Sequence, residues 1–278
     1  MVLPAYAAAA LDPLSTDGKR RETVLITGAS SGIGLDLAKI FAANKFEVIL
    51  TARSQARLDA LARQLEKEHG VYAHVIVADL AEPEGPHQIF SEVTRRGLPV
   101  HNLVNNAGFG AYGEFRRTRL KDELQMVQVN ISALTHLTKL ALPGMLERNS
   151  GRIMNVASTA GFQPGPLMAV YYATKAYVIS FSEAIANELK RTGVTVTCLC
   201  PGATVTDFAA RAKMENSRLF KLGAMSSPAV AWAGYKGMMK GKTLVVPGVK
   251  NKLLAQSVRF SPRKMVTAIA GVLNAGNH

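Results

Sequence analysis

A tyrosine at 171 and a lysine at 175 stand four residues apart in the run Tyr171-Tyr172-Ala173-Thr174-Lys175. On a helix this spacing puts both side chains on one face. An unperturbed phenol ionises near about pH 10 and is a poor base at neutral pH. A neighbouring ammonium favours the phenolate and is expected to lower the tyrosine pKa. The phenol then becomes a usable general acid or base. Tyr172 and Tyr177 have Ala176 and Phe181 four residues on, so the spacing selects Tyr171. The pair alone would suit a surface helix at least as well. Its weight comes from the motifs that accompany it in order: the turn Thr27-Gly28-Ala29-Ser30-Ser31-Gly32-Ile33-Gly34, then Asn105-Asn106-Ala107-Gly108, Asn130 and Ser158 before it, and Pro201-Gly202 after it.

Gly28, Gly32 and Gly34 follow an apolar run and open a helical one. Glycines allow the tight turn and the close approach of backbone to a pyrophosphate, and the helix N-terminus favours phosphate charge. The second apolar run ends in Thr51-Ala52-Arg53-Ser54, with no carboxylate to take a ribose 2′-hydroxyl. Arg53 there offers a forked, charge-assisted contact to a 2′-phosphate, and Ser30 could add a hydroxyl. The expected cofactor is therefore NADP (NADPH) in preference to NAD.

The elements that must hold these residues alternate. Strands are predicted at Val24–Ile26, Val48–Leu50, Val75–Val77, Leu103–Val104, Arg152–Val156 and Val194–Leu199, with a seventh at Thr243–Val246. Helices are predicted at Gly32–Ala43, Arg57–Glu68, Gln88–Arg95, Leu120–Leu146 and Val170–Lys190. Such alternation implies an α/β fold, a doubly wound parallel sheet of the Rossmann type with seven strands and helices on both faces. Ligands are expected beyond the carboxyl ends of the strands, where every motif above falls. The expected division is a flexible extension over 1–20, one catalytic domain over 21–248 and a basic helical extension over 249–278.

The 278 residues suffice for one large core, and no apolar run approaches the roughly 18 residues of a membrane span. A cytoplasmic protein is expected. Cys198 and Cys200 lie two apart in an apolar run and read as small buried residues of a reducing compartment. The six histidines show no metal-ligand spacing, so no metal is expected. Charge is uneven: residues 1–208 hold 21 Lys/Arg against 19 Asp/Glu, whereas residues 209–278 hold 12 against one. Such a segment serves solubility or attracts an acidic partner, such as an acyl carrier or a membrane surface. Nothing marks a site for specific nucleic acid.

Together these residues resemble the short-chain dehydrogenase/reductase family over about residues 22–206, with a looser match at Val245-Val246-Pro247-Gly248. The resemblance implies that Asn130, Ser158, Tyr171 and Lys175 are the catalytic set. Tyr171 would donate the proton in reduction, and Ser158 would hold the substrate oxygen. Lys175 would bind the nicotinamide ribose and depress the tyrosine pKa, and Asn130 would position a water that links Lys175 to solvent. Gly28, Ser30, Ser31, Gly32, Ile33 and Gly34 would take the diphosphate, and Asp79-Leu80 the adenine. Asn106-Ala107-Gly108 would lie beside the adenosine ribose, and Pro201-Gly202, Thr204 and Thr206 would hold the carboxamide. It also implies a homodimer or homotetramer through residues 120–146 and 170–190.

The implied activity interconverts a small-molecule carbonyl and its alcohol. Phe109, Tyr112, Phe162, Leu167, Met168, Phe208, Met214, Phe220 and Met225 are candidates to face an apolar substrate: a ketone, an aldehyde or a 3-oxoacyl compound. The alternative is a non-catalytic NADP-binding sensor or scaffold on the same fold, which would be expected to lack Tyr171 or Lys175.

Overall fold

The apolar runs pair into a sheet buried on both faces. A computed structural model describes residues 21–206 and 223–275. Strands β1 (Thr23–Thr27), β2 (Glu47–Ala52), β3 (Ala73–Val77), β4 (Asn102–Asn105), β5 (Gly151–Val156) and β6 (Val194–Leu199) alternate with helices α1 (Gly32–Ala43), α2 (Gln55–His69), α3 (Gly85–Arg95), α4 (Leu120–Val127), α5 (Leu134–Glu147) and α6 (Ala169–Glu188). Two short strands follow, β7 (Thr204–Val205) and β8 (Met225–Ser226). Then come α7 (Ser227–Met239), β9 (Leu244–Val245), α8 (Val249–Ser257) and α9 (Arg263–Asn274). The main sheet runs β3-β2-β1-β4-β5-β6-β9 and every pairing is parallel. The chain turns from one direction of sheet growth to the other between β1 and β4, which opens a crevice at their carboxyl ends.

Alternation along each strand supplies both cores. Val24, Ile26, Val48 and Leu50 pack under α1, α2 and α7 with Leu37, Phe41, Leu58 and Tyr235. Leu25, Ile49 and Leu103 face the other way, against Ile89, Val93, Leu137 and Ala141 of α3 and α5. Each fully buried side chain of this size contributes about 1.5–3 kcal/mol. Gly70 ends α2 in the left-handed region at φ 60°, its N–H bonded back to Glu66 O at 2.9 Å.

The structure corrects three details of the expected element pattern. The helix expected over 120–146 is broken in its middle by a π-helical segment, Gln128–Ala133. Such widened turns are frequent at functional sites, and this one carries Asn130. The seventh strand is only two residues long, paired through Cys198–Leu244 and Leu199–Val245. The small sheet of β7 and β8 had no counterpart in the apolar pattern, because two-residue strands leave no periodicity to read. No helix among the described residues is long and apolar enough to cross a membrane.

A buried polar chain fixes α5 and α6 on the sheet. Asn105 Nδ2 donates to Asn155 Oδ1 at 2.9 Å and Thr138 Oγ1 at 3.0 Å, and Asn155 Nδ2 donates to Ser182 Oγ at 2.9 Å. All four residues are buried. Breaking such a network strands its remaining members in a dry interior. Asn155→Ala is therefore expected to lower the unfolding free energy by about 1–3 kcal/mol, read from urea denaturation at constant m-value. An unchanged midpoint would show that the chain does not hold the helices.

Candidate active site

The crevice is a cleft of about 780 Å³ whose wall is assembled from the loops after β1, β2, β3, β4, β5 and β6. Its floor begins at the glycine turn. Gly28 sits in the left-handed region at φ 65°. A Cβ at Gly34 would stand 2.4 Å from Gly28 O and from Asn106 Nδ2, so no side chain fits there. Asn106 locks the turn, donating from Nδ2 to Thr27 O at 2.9 Å and Gly28 O at 3.3 Å. Thr27 Oγ1 in return accepts from the backbone N–H groups of Asn106 and Ala107, each at 2.9 Å. α1 starts here with no acidic residue in its first turn and no side-chain cap from Ser31. Its N–H groups and positive dipole end suit a diphosphate. Ser30, Ser31, Gly32 and Ile33 line the cleft. Gly34 lies behind it, as a residue that permits the turn.

The second wall carries the charge. Arg53 is exposed at the cleft edge just after β2, and no carboxylate stands beside it in Thr51–Arg57. Arg57, one turn further on in α2, lines the same edge. Arg57 is absent from the residues expected from sequence, although its place in the first turn of the helix that follows Arg53 was the available signal. Asp79 and Leu80 line the cleft after β3, with Asp79 Oδ1 accepting from Ala81 N at 2.9 Å. Asn106, Ala107, Gly108, Pro201, Gly202, Thr204 and Thr206 complete the wall. A dinucleotide fits these residues: glycines that leave room for it, an uncapped helix end for its phosphates, and guanidinium groups along the edge after β2.

Ser158, Tyr171 and Lys175 converge at the far end of the cleft. The Tyr171 phenol is hydrogen-bonded to the Ser158 side chain. Ser158 Oγ also accepts from Ala160 N at 3.1 Å, capping the short helix Thr159–Phe162 and holding its own rotamer. Lys175 Nζ donates to Val156 O at 2.8 Å and lies 5.8 Å from the centre of the Tyr171 ring. Gly108 approaches so closely that a Cβ there would stand 3.0 Å from Asn130 Oδ1 and 3.4 Å from Lys175 Nζ.

Electrostatics here differ from the expectation that the lysine depresses the phenol pKa. Burial pushes the Tyr171 phenol up, opposed by the hydrogen bond from Ser158 and reinforced by Tyr172. Burial lowers Lys175 to about 8, with Cys198 and Cys200 acting the other way. The physical reason is desolvation: both groups are buried, and burial disfavours whichever form is charged. The thiols of Cys198 and Cys200 are buried and free, with sulfurs 3.7 Å apart. The Cys200 pKa is held up by its hydrogen bond to Cys198 and by burial.

Asn130 is not on the cleft surface. It is buried, with Nδ2 donating to Phe109 O and Thr174 Oγ1 at 3.0 Å each, and Oδ1 accepting from Phe109 N at 3.1 Å. It thus ties the loop after β4 to α6. Of the expected substrate-facing residues, Phe109 and Met168 line the cleft. Tyr112 packs beside Met126 and Met168, Phe162 against the cluster of Leu134 and Val178, and Met225 against the core under α7. Leu167 takes a left-handed backbone at φ 68° and is not part of the cleft wall. Apolar character alone does not tell a pocket wall from loop packing. Phe208, Met214 and Phe220 fall outside the described residues.

Tyr172 also lines the cleft, but its hydroxyl is committed elsewhere, donating to Asn274 Oδ1 of α9 at 2.9 Å. Asn274 Nδ2 in turn donates to Pro166 O at 3.0 Å. The C-terminal helix thus closes onto the tyrosine motif, a link across 102 positions that no local pattern announces. Among the described residues no group of three or more His, Cys, Asp or Glu side chains could hold a metal.

Comparison with known proteins agrees with this geometry. The family model for short chain dehydrogenases matches residues 22–217. Over 183 residues the chain is 38% identical to a very-long-chain 3-oxoacyl-CoA reductase of Anas platyrhynchos, covering 64% of this chain and 58% of that protein. It spans, therefore, little more than half the length of that relative. It is 37% identical over 205 residues to a putative ketoacyl reductase of Streptomyces coelicolor, covering 72% of this chain and 77% of that one. A short-chain dehydrogenase from Sphingobium yanoikuyae, solved in complex with NADPH, superposes with a TM-score of 0.77 at 31% identity, over 87% of this chain and 97% of that chain.

The depressed lysine has a thermodynamic signature. Below about pH 8 both folded and unfolded chains hold the Lys175 proton, and between about 8 and the ordinary 10.5 only the unfolded chain holds it. Stability rises with pH wherever the unfolded state binds more protons. Wild-type unfolding free energy should therefore gain on Lys175→Met across that window and run parallel to it below pH 8. Urea titrations of both proteins at several pH values measure the difference; parallel curves throughout would place the lysine pKa at its ordinary value.

Proposed function

We propose that this chain, which belongs to the short-chain dehydrogenase family, is an NADP(H)-dependent oxidoreductase that interconverts a carbonyl and an alcohol on an apolar substrate. The observation that carries the proposal is the meeting of Tyr171, hydrogen-bonded to Ser158, with the glycine turn in one cleft. When bound, the dinucleotide supplies or accepts the hydride. This chain's residues do the rest.

In reduction the Tyr171 hydroxyl gives its proton to the substrate oxygen. Its raised pKa supports that role, because the phenol stays protonated throughout the neutral range. Ser158 Oγ holds the same oxygen and fixes its distance from the phenol, a gain in orientation as much as in charge. Lys175 anchors the nicotinamide ribose from its place on Val156 O. Asn130, buried between Phe109 and Thr174, positions this end of the cleft by holding the loop after β4 against α6.

Arg53 and Arg57 support NADPH over NADH, since guanidinium groups on the edge after β2 suit a 2′-phosphate and Thr51–Arg57 holds no carboxylate to take a ribose 2′-hydroxyl. Phe109 and Met168 on the cleft wall, together with the ketoacyl and 3-oxoacyl reductases among the relatives, support an apolar or 3-oxoacyl substrate. Self-association through α4–α6 belongs to the same reading, with Leu120, Leu124 and Tyr177 exposed on those helices.

Cofactor choice is tested by kcat/KM for NADPH and NADH on one ketone. NADPH should lead, and Arg53→Ala should erode that lead by about 1.5–3 kcal/mol, the value of a hydrogen bond to a charged group. Equal values for the two cofactors in wild type would reject the assignment.

Catalysis is tested by Tyr171→Phe, expected to cost about 10²–10⁴-fold in turnover with NADPH binding retained. Tyr172→Phe should leave turnover nearly intact and cost stability instead, because it strands Asn274. Tight NADPH binding by wild type, with no turnover across steroids, 3-oxoacyl esters and aryl ketones, would favour a non-catalytic sensor.

A further inference from the structure

The C-terminal helices leave an apolar surface uncovered. In α9, Met265, Ile269 and Val272 are 49%, 51% and 54% exposed, while Ala270 and Asn274 face the body of the protein. The spacing i, i+4, i+7 makes the three one stripe, pointing outward where a surface helix is ordinarily polar. In α8 the same inversion recurs. Val249 and Leu253, one turn apart, are 77% and 67% exposed, and Ala255 is the residue turned inward. Phe260, in the turn between the helices, is 88% exposed. Around these side chains stand Lys252, Arg259, Arg263 and Lys264, all exposed, and residues 249–278 contain no acidic residue at all.

We propose that α8, the turn at Phe260 and α9 form a docking face for an anionic lipid surface. Charge selects this occupant. A two-fold dimer brings the same patch of each subunit together. Here that would crowd two sets of cations with no carboxylate to pair them. An anionic bilayer accepts both features: the cations reach the headgroups, and the apolar side chains enter the boundary beneath them. Exposed apolar stripes rimmed by polar groups mark such contacts. Neither helix crosses the bilayer; α8 has 9 residues and α9 has 12. The face lies beside the substrate end of the cleft, through Asn274 on Tyr172 and through Asn251, whose amide lies 2.6 Å from where a Cβ on Gly202 would stand. Docking and proposed chemistry are independent: a catalytically dead chain would still bind lipid.

The test is co-sedimentation of the full chain with phosphatidylcholine vesicles, with and without phosphatidylserine. Wild type should bind the anionic vesicles and not the neutral ones, and lose most binding near about 1 M salt, where the screening length is about 3 Å. Replacing Lys252, Arg259, Arg263 and Lys264 by Gln should weaken binding about fivefold per cation. Leu253→Asp with Ile269→Asp should release the chain, because it removes apolar contact and sets two carboxylates against the anionic headgroups. Both variants should retain wild-type kcat/KM toward a water-soluble ketone and the wild-type melting temperature; if the aspartate pair fails to fold, the glutamine set decides alone. The proposal is overturned if wild type stays in the supernatant with anionic vesicles at low salt, or if it binds both vesicles equally. It is overturned equally by light scattering that shows a dimer dissociated by Ile269→Asp, or by capture of an acidic carrier protein without vesicle binding.

Discussion

One contact organises this molecule: the Lys175 ammonium on the carbonyl of Val156, at the carboxyl end of β5. It joins the helix that carries the tyrosine to the strand that leads into Ser158. A lysine with both ends buried must find a partner or lose its charge. The structure does some of each, supplying one carbonyl and shifting the pKa to about 8. Everything near it is arranged around that compromise. A Cβ on Gly108 would press on Asn130 Oδ1 at 3.0 Å, Asn130 ties the neighbouring loop to α6, and the Asn105–Asn155–Ser182 chain holds the same helix about two turns further on.

The phenol follows from the same burial. Because Tyr171 is enclosed, desolvation outweighs the help of Ser158, and the group is a firmly protonated acid in the protein alone. Proximity to a lysine is therefore not the whole of its activation. The ammonium donates to Val156 O at 2.8 Å and stands over the ring at 5.8 Å. In the proposed reduction a carbonyl substrate would take its proton from this phenol, and burial suits the group to that role.

The C-terminal helices show how a tail can belong to a site without containing its chemistry. Asn274 takes the hydroxyl of Tyr172 and thereby fixes the side chain next to Tyr171. The opposite sides of α8 and α9 are apolar and rimmed by cations. The inner surface serves the cleft, and the outer one is available to an anionic partner. Part of the uneven charge along the chain thus acquires a location: Lys252, Arg259, Arg263 and Lys264 stand exposed on α8, α9 and the turn between them.

Much was determined by sequence alone. Short β-branched runs between helical segments dictate a parallel sheet, because each run is apolar on both faces and needs cover on both. Gly28 and Gly34 announce a turn that no other residue can make at that closeness, and the four-residue step from Tyr171 to Lys175 places both on one helix face. Other features required the tertiary structure. The bonds of Asn130 to Phe109 and Thr174, the link from Tyr172 to Asn274 and the network through Asn105 join residues whose partners are tens of positions away. The direction of the Tyr171 shift was misjudged from spacing, since spacing reports which charge is near and burial decides whether charge is tolerated. The same holds for Phe162 and Met225: their apolar character was legible, but only packing decides whether such a side chain faces a cleft or closes a core.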